Sequence, residues 1–444
     1  MDGCNATGRI GATSGDGRAG RRWGLDRILP LTPFALAALV AWGCAGQAAA
    51  ADFVRSQSTQ APGNETAATQ AASSVDALGF DLLAKTPAGN AVISPASVAL
   101  ALAMARAGAA GDTAAQMDTV MHGLWASGGG SGIASFDRAL NGLSSTFTAA
   151  NGDKQTIEVD VANASFAQRN LAFAQAYLDS LATSFDAGQR LVDFASDPGA
   201  ARAAINKWVD DQTKGRIPAL LDSLDPATRL VLVNAIYMKA AWRDPFQVAA
   251  TADATFNRAD GTTVSVPTMN QLLEGANYAS ETGWQAIELP YGNGSLVMDV
   301  VVPDNLATFA AKLDANQWHD VLAGMHGSTV QLALPRFSTE SKLQLANALS
   351  ALGMPLAFDP EKADFAGMTA QEKLYIAAVV HQANISVDEK GTEASAATAV
   401  VMAGSAMPAE PIKLTVDRPF LFAVRDSTSG AVVFLGRIVD PSAK

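Results

Sequence analysis

The chain has 444 residues, of which 49% are hydrophobic and 17% are charged. Such a composition can fill a large core and excludes a wholly disordered chain. The formal net charge of −12 argues against a nucleic-acid-binding protein, which needs basic patches. Two cysteines, Cys4 and Cys44, exclude a disulfide scaffold and a cysteine-rich zinc site. None of the four histidines has a zinc-ligand spacing, so we expect no metal and no cofactor.

Residues 1–50 have the order of an export signal. Four arginines between positions 18 and 27 precede an uncharged stretch from Ile28 to Ala51, which ends in small residues. A basic, then apolar, then small-residue order is typical of a cleaved leader. We therefore predict export to the cell exterior, or to the periplasm and cell envelope, with cleavage near Ala50.

Other interpretations of this leader stay open. A membrane anchor is disfavoured because Pro30 and Pro33 limit the apolar run to about a dozen residues, short of the roughly 20 that span a bilayer. Cys44 would carry a lipid anchor if this were a lipoprotein signal, although the residues before it match poorly. Arg21-Arg22 would belong to a twin-arginine signal, again with a weak match after it. The true start could also lie downstream of the first methionine.

The rest of the chain contains one flexible segment and one domain by composition. Residues 51–75 are rich in Ala, Ser, Thr and Gln and contain Pro62-Gly63, which predicts a flexible N-terminal segment. Residues 76–444 show no long linker, charge block or repeat, which predicts a single large domain. Ser94-Pro95 and Asp197-Pro198 each predict the start of a helix, because the first residue can cap it and proline suits the first helical position.

Apolar and alternating runs predict most of the strands in the second half of the chain. Asp260-Gly261 predicts the turn of a hairpin between 254–257 and 264–267. The other predicted strands are Leu230–Lys239, Leu296–Val302, Thr329–Leu334, Tyr375–Val387, Phe420–Arg425 and Ala431–Val439. Helices dominate early and strands late, so the predicted class is α+β.

Catalytic motifs are absent from the sequence. It contains no nucleophile elbow, zinc-protease helix, phosphate-binding loop or Cys-x-x-Cys pair. Carboxylates are scattered, so a hydrolase with a pair that meets only in space stays an alternative. The sequence otherwise favours a protein that is not an enzyme.

The most informative segment is residues 387–408, where small side chains follow a predicted strand and proline is absent until Pro408. Read with a period of two, small residues share one face and Glu393 lies on the other. As a strand, residues 392–405 would extend about 46 Å, enough to cross a large sheet. An alanine-rich loop or short helix is the simpler interpretation from composition, because alanine favours helix over strand.

This segment resembles the reactive-loop hinge of the serpins, above all of their inhibitory members. The hinge residues are Glu389, Gly391, Thr392, Glu393, Ala394, Ser395, Ala396, Ala397 and Thr398. Five more stretches resemble other serpin motifs in the same order: Asn90–Ser97, Ile205–Ile217, Leu232–Tyr237 with Trp242, Asp417–Phe422 and Gly436–Pro441. The likeness spans about residues 76–442, and six motifs in order make it specific.

The resemblance implies a fold and a mechanism. Serpins have a single large domain of about nine helices and three β-sheets with an exposed reactive loop. They are suicide inhibitors of serine proteases and sometimes of cysteine proteases, which they hold as an acyl-enzyme when the cut loop inserts into the main sheet. A covalent complex with a target serine protease, a monomeric state and a liability to loop–sheet polymers are therefore expected. A noninhibitory serpin-like binding protein, cleaved as a substrate, is the alternative.

The resemblance also assigns roles to single residues. Insertion would begin at Gly391 and Thr392, and the cleaved bond would join Ser405 to Ala406, within about two residues. A polar cluster under the opening sheet and its neighbours would comprise Ser94, Ser97, Asn234, His381, Trp242 and Arg336, with Arg336 as the partner of Glu389. Ordinary buried hydrogen bonding, and for Ser94 simple helix capping, is the alternative for the cluster.

The residues around the cleaved bond indicate the class of target. The loop from Glu393 to Glu410 contains neither arginine nor lysine, which disfavours a trypsin-like protease. Small Ser, Ala and Gly side chains suit an elastase-like or subtilisin-like protease. A register error of two residues would shift the cleaved bond to Met407 or Gly404, and a chymotrypsin-like target would then return.

Overall fold

The computed structural model describes residues 52–125, 130–148, 154–392 and 410–443. The predicted leader, residues 393–398 of the hinge, and the Ser405–Ala406 bond lie outside these ranges. Nine α-helices lie within them: α1 (Glu65–Lys85), α2 (Pro95–Arg106), α3 (Gly111–Val120), α4 (Gly130–Asn141), α5 (Gln175–Phe185), α6 (Pro198–Gln212), α7 (Leu306–Ala310), α8 (Ala315–Ala323) and α9 (Ala346–Leu352).

Seventeen strands lie in the same described ranges. The first eight are β1 (Asp52–Val54), β2 (Ala91–Ile93), β3 (Ser145–Thr148), β4 (Lys154–Gln168), β5 (Gln189–Val192), β6 (Leu230–Ala241), β7 (Ala252–Asn257) and β8 (Thr263–Glu281). The other nine are β9 (Trp284–Pro290), β10 (Leu296–Pro303), β11 (His326–Pro335), β12 (Phe337–Gln344), β13 (Ala378–Asp388), β14 (Gly391–Thr392), β15 (Ile412–Thr415), β16 (Phe420–Asp426) and β17 (Val432–Ile438).

The two predicted helix starts are confirmed. The hydroxyl of Ser94 accepts the backbone N–H of Ser97 at 3.2 Å and caps α2. The carboxylate of Asp197 accepts the N–H of Ala200 at 2.9 Å and caps α6. Each side chain satisfies one of the backbone donors that a helix start leaves unpaired.

The prediction of a flexible segment at 51–75 is wrong over much of its length. Asp52–Val54 forms β1, which pairs with β5, and α1 begins at Glu65, where Asn64 accepts the N–H of Ala67 at 3.0 Å. Among the small residues of this segment, Ala68, Ala71 and Ala72 lie on the buried face of α1. A helix that packs closely needs small side chains there, and because that requirement comes from distant residues, local composition does not show it.

The first of the two large sheets has eight strands, seven of them in the order β1-β5-β4-β6-β14-β13-β12. β3 completes the eight in a short ladder on the start of β4. β6 is antiparallel to β4 and parallel to β13. β14, only two residues long, lies between β6 and β13 at one end.

A second sheet of nine strands has the order β15-β11-β8-β9-β10-β16-β17-β2, with β7 on β8. The predicted hairpin is its β7–β8 pair, in which Asn257 lies opposite Thr263. With the two large sheets, the β3–β4 ladder and the helices, the structure confirms the predicted α+β class.

The core lies on both faces of the eight-stranded sheet. Along β6, Leu230 and Leu232 belong to the main core, and Val231 and Val233 face a second cluster shared with α6. This alternation follows from the period of two along a strand. α2 contacts β4 and β6 on the main-core side, so polar residues on that face meet the start of α2.

None of the helices in the described ranges is both long and apolar enough to cross a bilayer.

Candidate functional site

Strand register brings polar side chains into one row across the centre of the eight-stranded sheet. Asn234 of β6 lies opposite Asn163 of β4 on one side and His381 of β13 on the other. Asn234 and His381 are fully buried, as are Ser94 and Ser97 at the start of α2. The four predicted cluster residues therefore meet, although they lie far apart in the chain.

The imidazole of His381 is held as the neutral ring. Its Nδ1 bonds the amide oxygen of Asn234, and its Nε2 faces the backbone N–H of Ser94 at 3.0 Å. Because Nε2 accepts a hydrogen bond, the ring proton lies on Nδ1. Burial lowers the pKa of His381 to about 3, so the ring is uncharged near neutral pH.

The amide of Asn234 joins the two sides of the row. It donates to the hydroxyl of Ser97 and to the amide oxygen of Asn163 at 2.6 Å. The hydroxyl of Ser97 also donates to Asn163 at 2.7 Å. Ser94 thus caps α2 with its hydroxyl and donates its backbone N–H to His381.

Asn163 is part of this network and was missed from the sequence. The only local signal is an amide between two alanines, Ala162 and Ala164, inside β4. Its role depends on the register that sets it opposite Asn234, and a single strand does not reveal its register.

The eight-stranded sheet is split at one end, and the start of the hinge lies in the split. β6 and β13 pair directly from Val231 and Ala378 up to Ile236 and Ala383. Beyond that point in the described chain, β14 pairs with both of them through Gly391 and Thr392. The hinge therefore enters the sheet as a two-residue strand between β6 and β13.

Gly391 makes the turn into this position. Its φ is +137°, a conformation that residues with a side chain rarely adopt. A Cβ here would lie 2.2 Å from the carbonyl oxygen of Ala240. Glycine is required for both reasons, since the backbone of the hinge approaches the backbone of β6 closely.

Two aromatic residues, Trp242 and Tyr291, bind the hinge on its buried side. The indole of Trp242 donates to the carbonyl of Asp388 at 2.9 Å and stacks on Tyr291, with 4.3 Å between ring centroids. The Tyr291 hydroxyl bonds the hydroxyl of Thr392 at 2.8 Å. Tyr291, in the loop after β9, is a second site residue that the sequence did not reveal.

Glu389 carries a buried charge just before the turn. It is 3% exposed, and it accepts hydrogen bonds from Nε of Arg336 at 2.9 Å and from the hydroxyl of Thr251. Burial alone would raise the pKa of Glu389, but the hydrogen bonds from Arg336 and Thr251 outweigh it and lower that pKa. The carboxylate is therefore ionised, and its charge is paired with Arg336. A buried charge depends on such a partner, whereas an exposed carboxylate gains little from one. Thr251 was also missed from the sequence.

Comparison with known proteins gives these features a family. The model of the family described as Serpin (serine protease inhibitor) matches residues 74–441. The chain belongs to the serpin family. Serpins are inhibitors of proteases. In this serpin, the split end of the sheet, where the hinge lies, is the place at which loop insertion is expected to begin.

The relatives of this serpin include two protease inhibitors with established names and a serpin-like protein of an archaeon. Leukocyte elastase inhibitor of Bos taurus is 36% identical over 369 residues, which cover 80% of this chain and 94% of the relative. Plasminogen activator inhibitor 1 of Sus scrofa is 36% identical over 362 residues, covering 79% and 87%. An uncharacterized serpin-like protein of Thermococcus kodakarensis is 35% identical and covers 83% of this chain and 85% of itself.

Solved serpin structures share the fold. Tengpin, a thermophilic serpin in its native state, aligns with a TM-score of 0.74 at 25% identity and covers 88% of this chain and all of its own. Thyroxine-binding globulin in complex with thyroxine aligns with a TM-score of 0.70 at 25% identity and covers 84% of this chain and all of its own. The predicted family and fold are thus confirmed.

Proposed function

We propose that this serpin inhibits a serine endopeptidase, or a cysteine endopeptidase of similar specificity, by trapping it as an acyl-enzyme. The segment after Thr392 would insert between β6 and β13 once it is cut. The observation that carries the proposal is β14, because the sheet already accepts the hinge residues Gly391 and Thr392 between these strands.

Backbone hydrogen bonding would favour insertion of the cut segment into the sheet. Six residue pairs join β6 directly to β13, and an inserted strand would replace that single ladder by two. Each inserted residue brings a donor and an acceptor that need partners when they leave water. The parallel β6–β13 contact would be exchanged for antiparallel contacts, which are slightly more stable per residue.

The polar row supports the same proposal at the place where the strands must separate. The Asn234–His381 bond crosses from β6 to β13, so insertion would break it. Both side chains keep other partners on α2 and β4. A buried polar group costs least when partners remain, so these residues suit strands that part.

The residues of the loop support an elastase-like or subtilisin-like target. Ser405 and Ala406 are small, and the stretch 393–410 has no arginine or lysine. Several relatives carry the name leukocyte elastase inhibitor, whereas another is named after plasminogen activator. Because relatives differ in target, the proposal rests on the loop residues of this chain.

We also propose that the protein is exported, because residues 1–50 have the order of a signal sequence. The N-terminal sequence of protein recovered from medium and from envelope fractions tests this. A start near Ala51 supports cleavage, while protein that keeps residues 1–50 would contradict it. A lipid on Cys44 would appear as an added mass on a fragment that begins there.

The test of inhibition mixes the protein with elastase-like, subtilisin-like, chymotrypsin-like and trypsin-like proteases. Denaturing gels show whether a covalent adduct forms, and mass spectrometry identifies the cut bond. An adduct with cleavage between Ser405 and Ala406 supports the trap and its register. Cleavage by every protease without an adduct would contradict inhibition and favour the noninhibitory binding protein.

A further inference from the structure

The turn between β9 and β10 contains an exposed asparagine followed by glycine. The chain has three such pairs, Asn141-Gly142, Asn151-Gly152 and Asn293-Gly294, of which the second lies outside the described ranges. Asn141 and Asn293 are both exposed. They differ in their backbone, because Asn141 is the last residue of α4, whereas Asn293 lies in a hairpin turn in which Gly294 has a φ of +85°.

The side-chain carbonyl of Asn293 accepts two hydrogen bonds from Ser295. The backbone N–H of Ser295 donates to Oδ1 of Asn293 at 3.1 Å, and the Ser295 hydroxyl donates to the same oxygen at 2.8 Å. Because a backbone N–H only donates, the atom that faces it is the oxygen of the amide and not the nitrogen. Two donors draw electron density from Cγ and stabilise the negative oxygen that forms when a nucleophile adds there. The amide of Asn293 is therefore activated for attack at its carbon.

The nucleophile next to this carbon is the backbone nitrogen of Gly294. Its attack on Cγ closes a five-membered ring, and glycine has no side chain to obstruct it. The N–H of Gly294 donates to the carbonyl of Tyr291 at 2.7 Å, so the reaction requires this bond to open. Hydrogen bonds in exposed turns open at a lower free-energy cost than those of the core.

Asn141 lacks this arrangement. Its side-chain amide donates to the carboxylate of Asp137, which leaves the amide carbon less electrophilic. The N–H of Gly142 donates to the carbonyl of Arg138 at 2.9 Å and so continues the hydrogen-bond pattern of α4. Asn141 is therefore an internal control with the same two residue types in a less reactive setting.

We propose that Asn293 is a site of spontaneous deamidation, with the backbone nitrogen of Gly294 as the nucleophile and water as the co-reactant. The nitrogen adds to Cγ of Asn293 as its proton passes to water. The Cγ–Nδ2 bond then breaks, and the amide nitrogen takes up a proton and leaves as ammonia. Water opens the resulting cyclic imide at either carbonyl, which yields aspartate or its β-linked isomer, isoaspartate. No atom is oxidised or reduced in these steps.

The isoaspartate product alters a turn whose two ends are fixed. The N–H of Gly292 donates to the carbonyl of Ala241 in β6 at 2.9 Å, and the carbonyl of Ser295 accepts the N–H of Ser427 at 2.9 Å. Isoaspartate places one more carbon atom in the backbone between these two anchors, so at least one of the bonds must lengthen or break. Aspartate adds a charge but keeps the ordinary backbone and the acceptor oxygens for Ser295.

The same turn begins with Tyr291, which binds the hinge. Tyr291 stacks on Trp242 and its hydroxyl bonds that of Thr392. A displaced turn therefore loosens the contact that holds Thr392 between β6 and β13. If the proposed inhibition holds, isoaspartate at position 293 also reduces trapping; this second effect rests on the proposed function.

The first test follows deamidation in the full chain and is independent of inhibition. The protein is incubated at mildly alkaline pH, mass spectrometry of digests measures conversion at Asn293 and at Asn141, and an isoaspartyl methyltransferase labels the β-linked product. We expect Asn293 to convert at least tenfold faster than Asn141. Ser295→Ala removes one donor to Oδ1 and should slow Asn293 at least threefold while Asn141 is unchanged. Conversion at Asn293 no faster than at Asn141 would overturn the proposal, and an unchanged rate in Ser295→Ala would contradict activation by the hydroxyl.

The second test measures what the modification does to the fold. Anion exchange separates the deamidated fraction of aged protein, whose thermal midpoint should lie below that of fresh wild type. Asn293→Asp carries the charge on an ordinary backbone and should keep the wild-type midpoint. Asn293→Gln would have to close a larger ring, so its midpoint should not change with ageing. A deamidated fraction as stable as fresh protein would contradict the argument from the fixed ends of the turn.

The protease assay tests the link to the hinge. Aged wild type should form at least twofold less adduct with elastase than Asn293→Gln aged in the same way. Equal adduct yields would contradict that link. Absence of an adduct from the fresh proteins would instead count against the proposed function, and the rates measured by mass spectrometry would still decide whether Asn293 is the site of deamidation.

Discussion

At the scale of single residues, the site combines one group kept neutral with one kept charged. His381 stays uncharged because burial penalises its cation, and Glu389 stays ionised because Arg336 and Thr251 donate to it. The two lie on the same strand and its extension, yet burial acts on them with opposite outcomes. The difference comes from partners, since a buried charge persists only when it is paired and hydrogen-bonded.

The titration of His381 predicts a loss of stability in acid. Its pKa is about 3 in the folded protein and 6.5 as a free side chain, so unfolding between those pH values takes up a proton. The contribution of His381 to the free energy of unfolding is complete above pH 6.5 and falls by about 1.4 kcal/mol per pH unit as the pH decreases toward 3. Urea denaturation midpoints measured across this range should fall more steeply for the wild type than for His381→Gln.

Other buried groups do not obscure that comparison. Burial raises the pKa of Asp76 to about 7 and that of Asp299 to about 6. Protonation of these carboxyls on acidification stabilises the wild type and His381→Gln equally. The difference between the two pH profiles therefore reports His381 alone. Parallel profiles would show that His381 does not titrate on unfolding.

The turn at Gly391 predicts a penalty specific to that glycine. Gly391→Ala should lower the thermal midpoint, because φ is +137° and the new Cβ would clash with the carbonyl of Ala240. Gly261→Ala is the matched control, since Gly261 also has a positive φ of +82° but open space around it. Strain alone costs about 1 kcal/mol, so we expect Gly391→Ala to cost at least about twice as much. Equal losses would contradict the close approach of the hinge to β6.

At the scale of secondary-structure elements, β14 decides how the hinge meets the sheet. Two residues pair with β6 and β13, while Trp242, Tyr291 and the Glu389–Arg336 pair hold the same end. These contacts come from the end of β6, the loop after β9 and the turn before β12. The hinge is thus positioned by three elements far apart in sequence.

The Glu389–Arg336 pair should matter more than an exposed pair of the same type. Arg336→Gln leaves the buried Glu389 carboxylate without its cation, and we expect a loss of about 2 kcal/mol in unfolding free energy. Arg243→Gln breaks a pair with Asp244 in which both side chains are more than half exposed, and should change stability by less than about 0.5 kcal/mol. Denaturation midpoints of the two variants give the comparison, and similar losses would show that burial of Glu389 does not matter.

Thr392 should control whether the protein traps a protease or is only cut by it. Thr392→Arg places a charge where the side chain is 1% exposed, so insertion should stop at its first step. We expect the fraction of elastase held as adduct to fall more than tenfold while loop cleavage continues. Thr119→Arg, at an exposed position on α3, should behave like the wild type; an equal adduct yield from both variants would argue against insertion at β14.

Local patterns predicted the elements better than they predicted the site. Caps at Ser94 and Asp197 and the apolar run of β6 are signals within a few residues, and the structure confirms the elements they mark. Asn163 and Tyr291 join the site only through pairing with residues some 70 and 100 positions away. Their roles follow from register and packing, which a single sequence does not show without a known fold to compare.

At the scale of the whole molecule, the proposed inhibition depends on a sheet that can admit another strand. β6 and β13 hold each other through a parallel ladder, and the hinge already lies at one end of it. Locking these two strands together should abolish trapping without touching the loop. The described residues contain no cysteine, so an introduced pair would be the only thiols in that part of the chain.

Ala235 and Gln382 are register partners on β6 and β13. Neighbouring strands lie about 4.8 Å apart, within the range of roughly 4.4–6.8 Å that a disulfide spans. The variant Ala235→Cys/Gln382→Cys, made in a chain with Cys4→Ser and Cys44→Ser, can be oxidised to lock the strands and reduced to release them. Oxidised and reduced samples of one preparation therefore differ only in that bond.

The most direct test of strand insertion is the yield of covalent adduct with elastase, measured on denaturing gels for the oxidised and reduced forms of this variant. The account predicts an adduct from the reduced form, and loop cleavage without an adduct from the oxidised form. An adduct of equal yield from both forms, or none from either form and from the wild type, would contradict it.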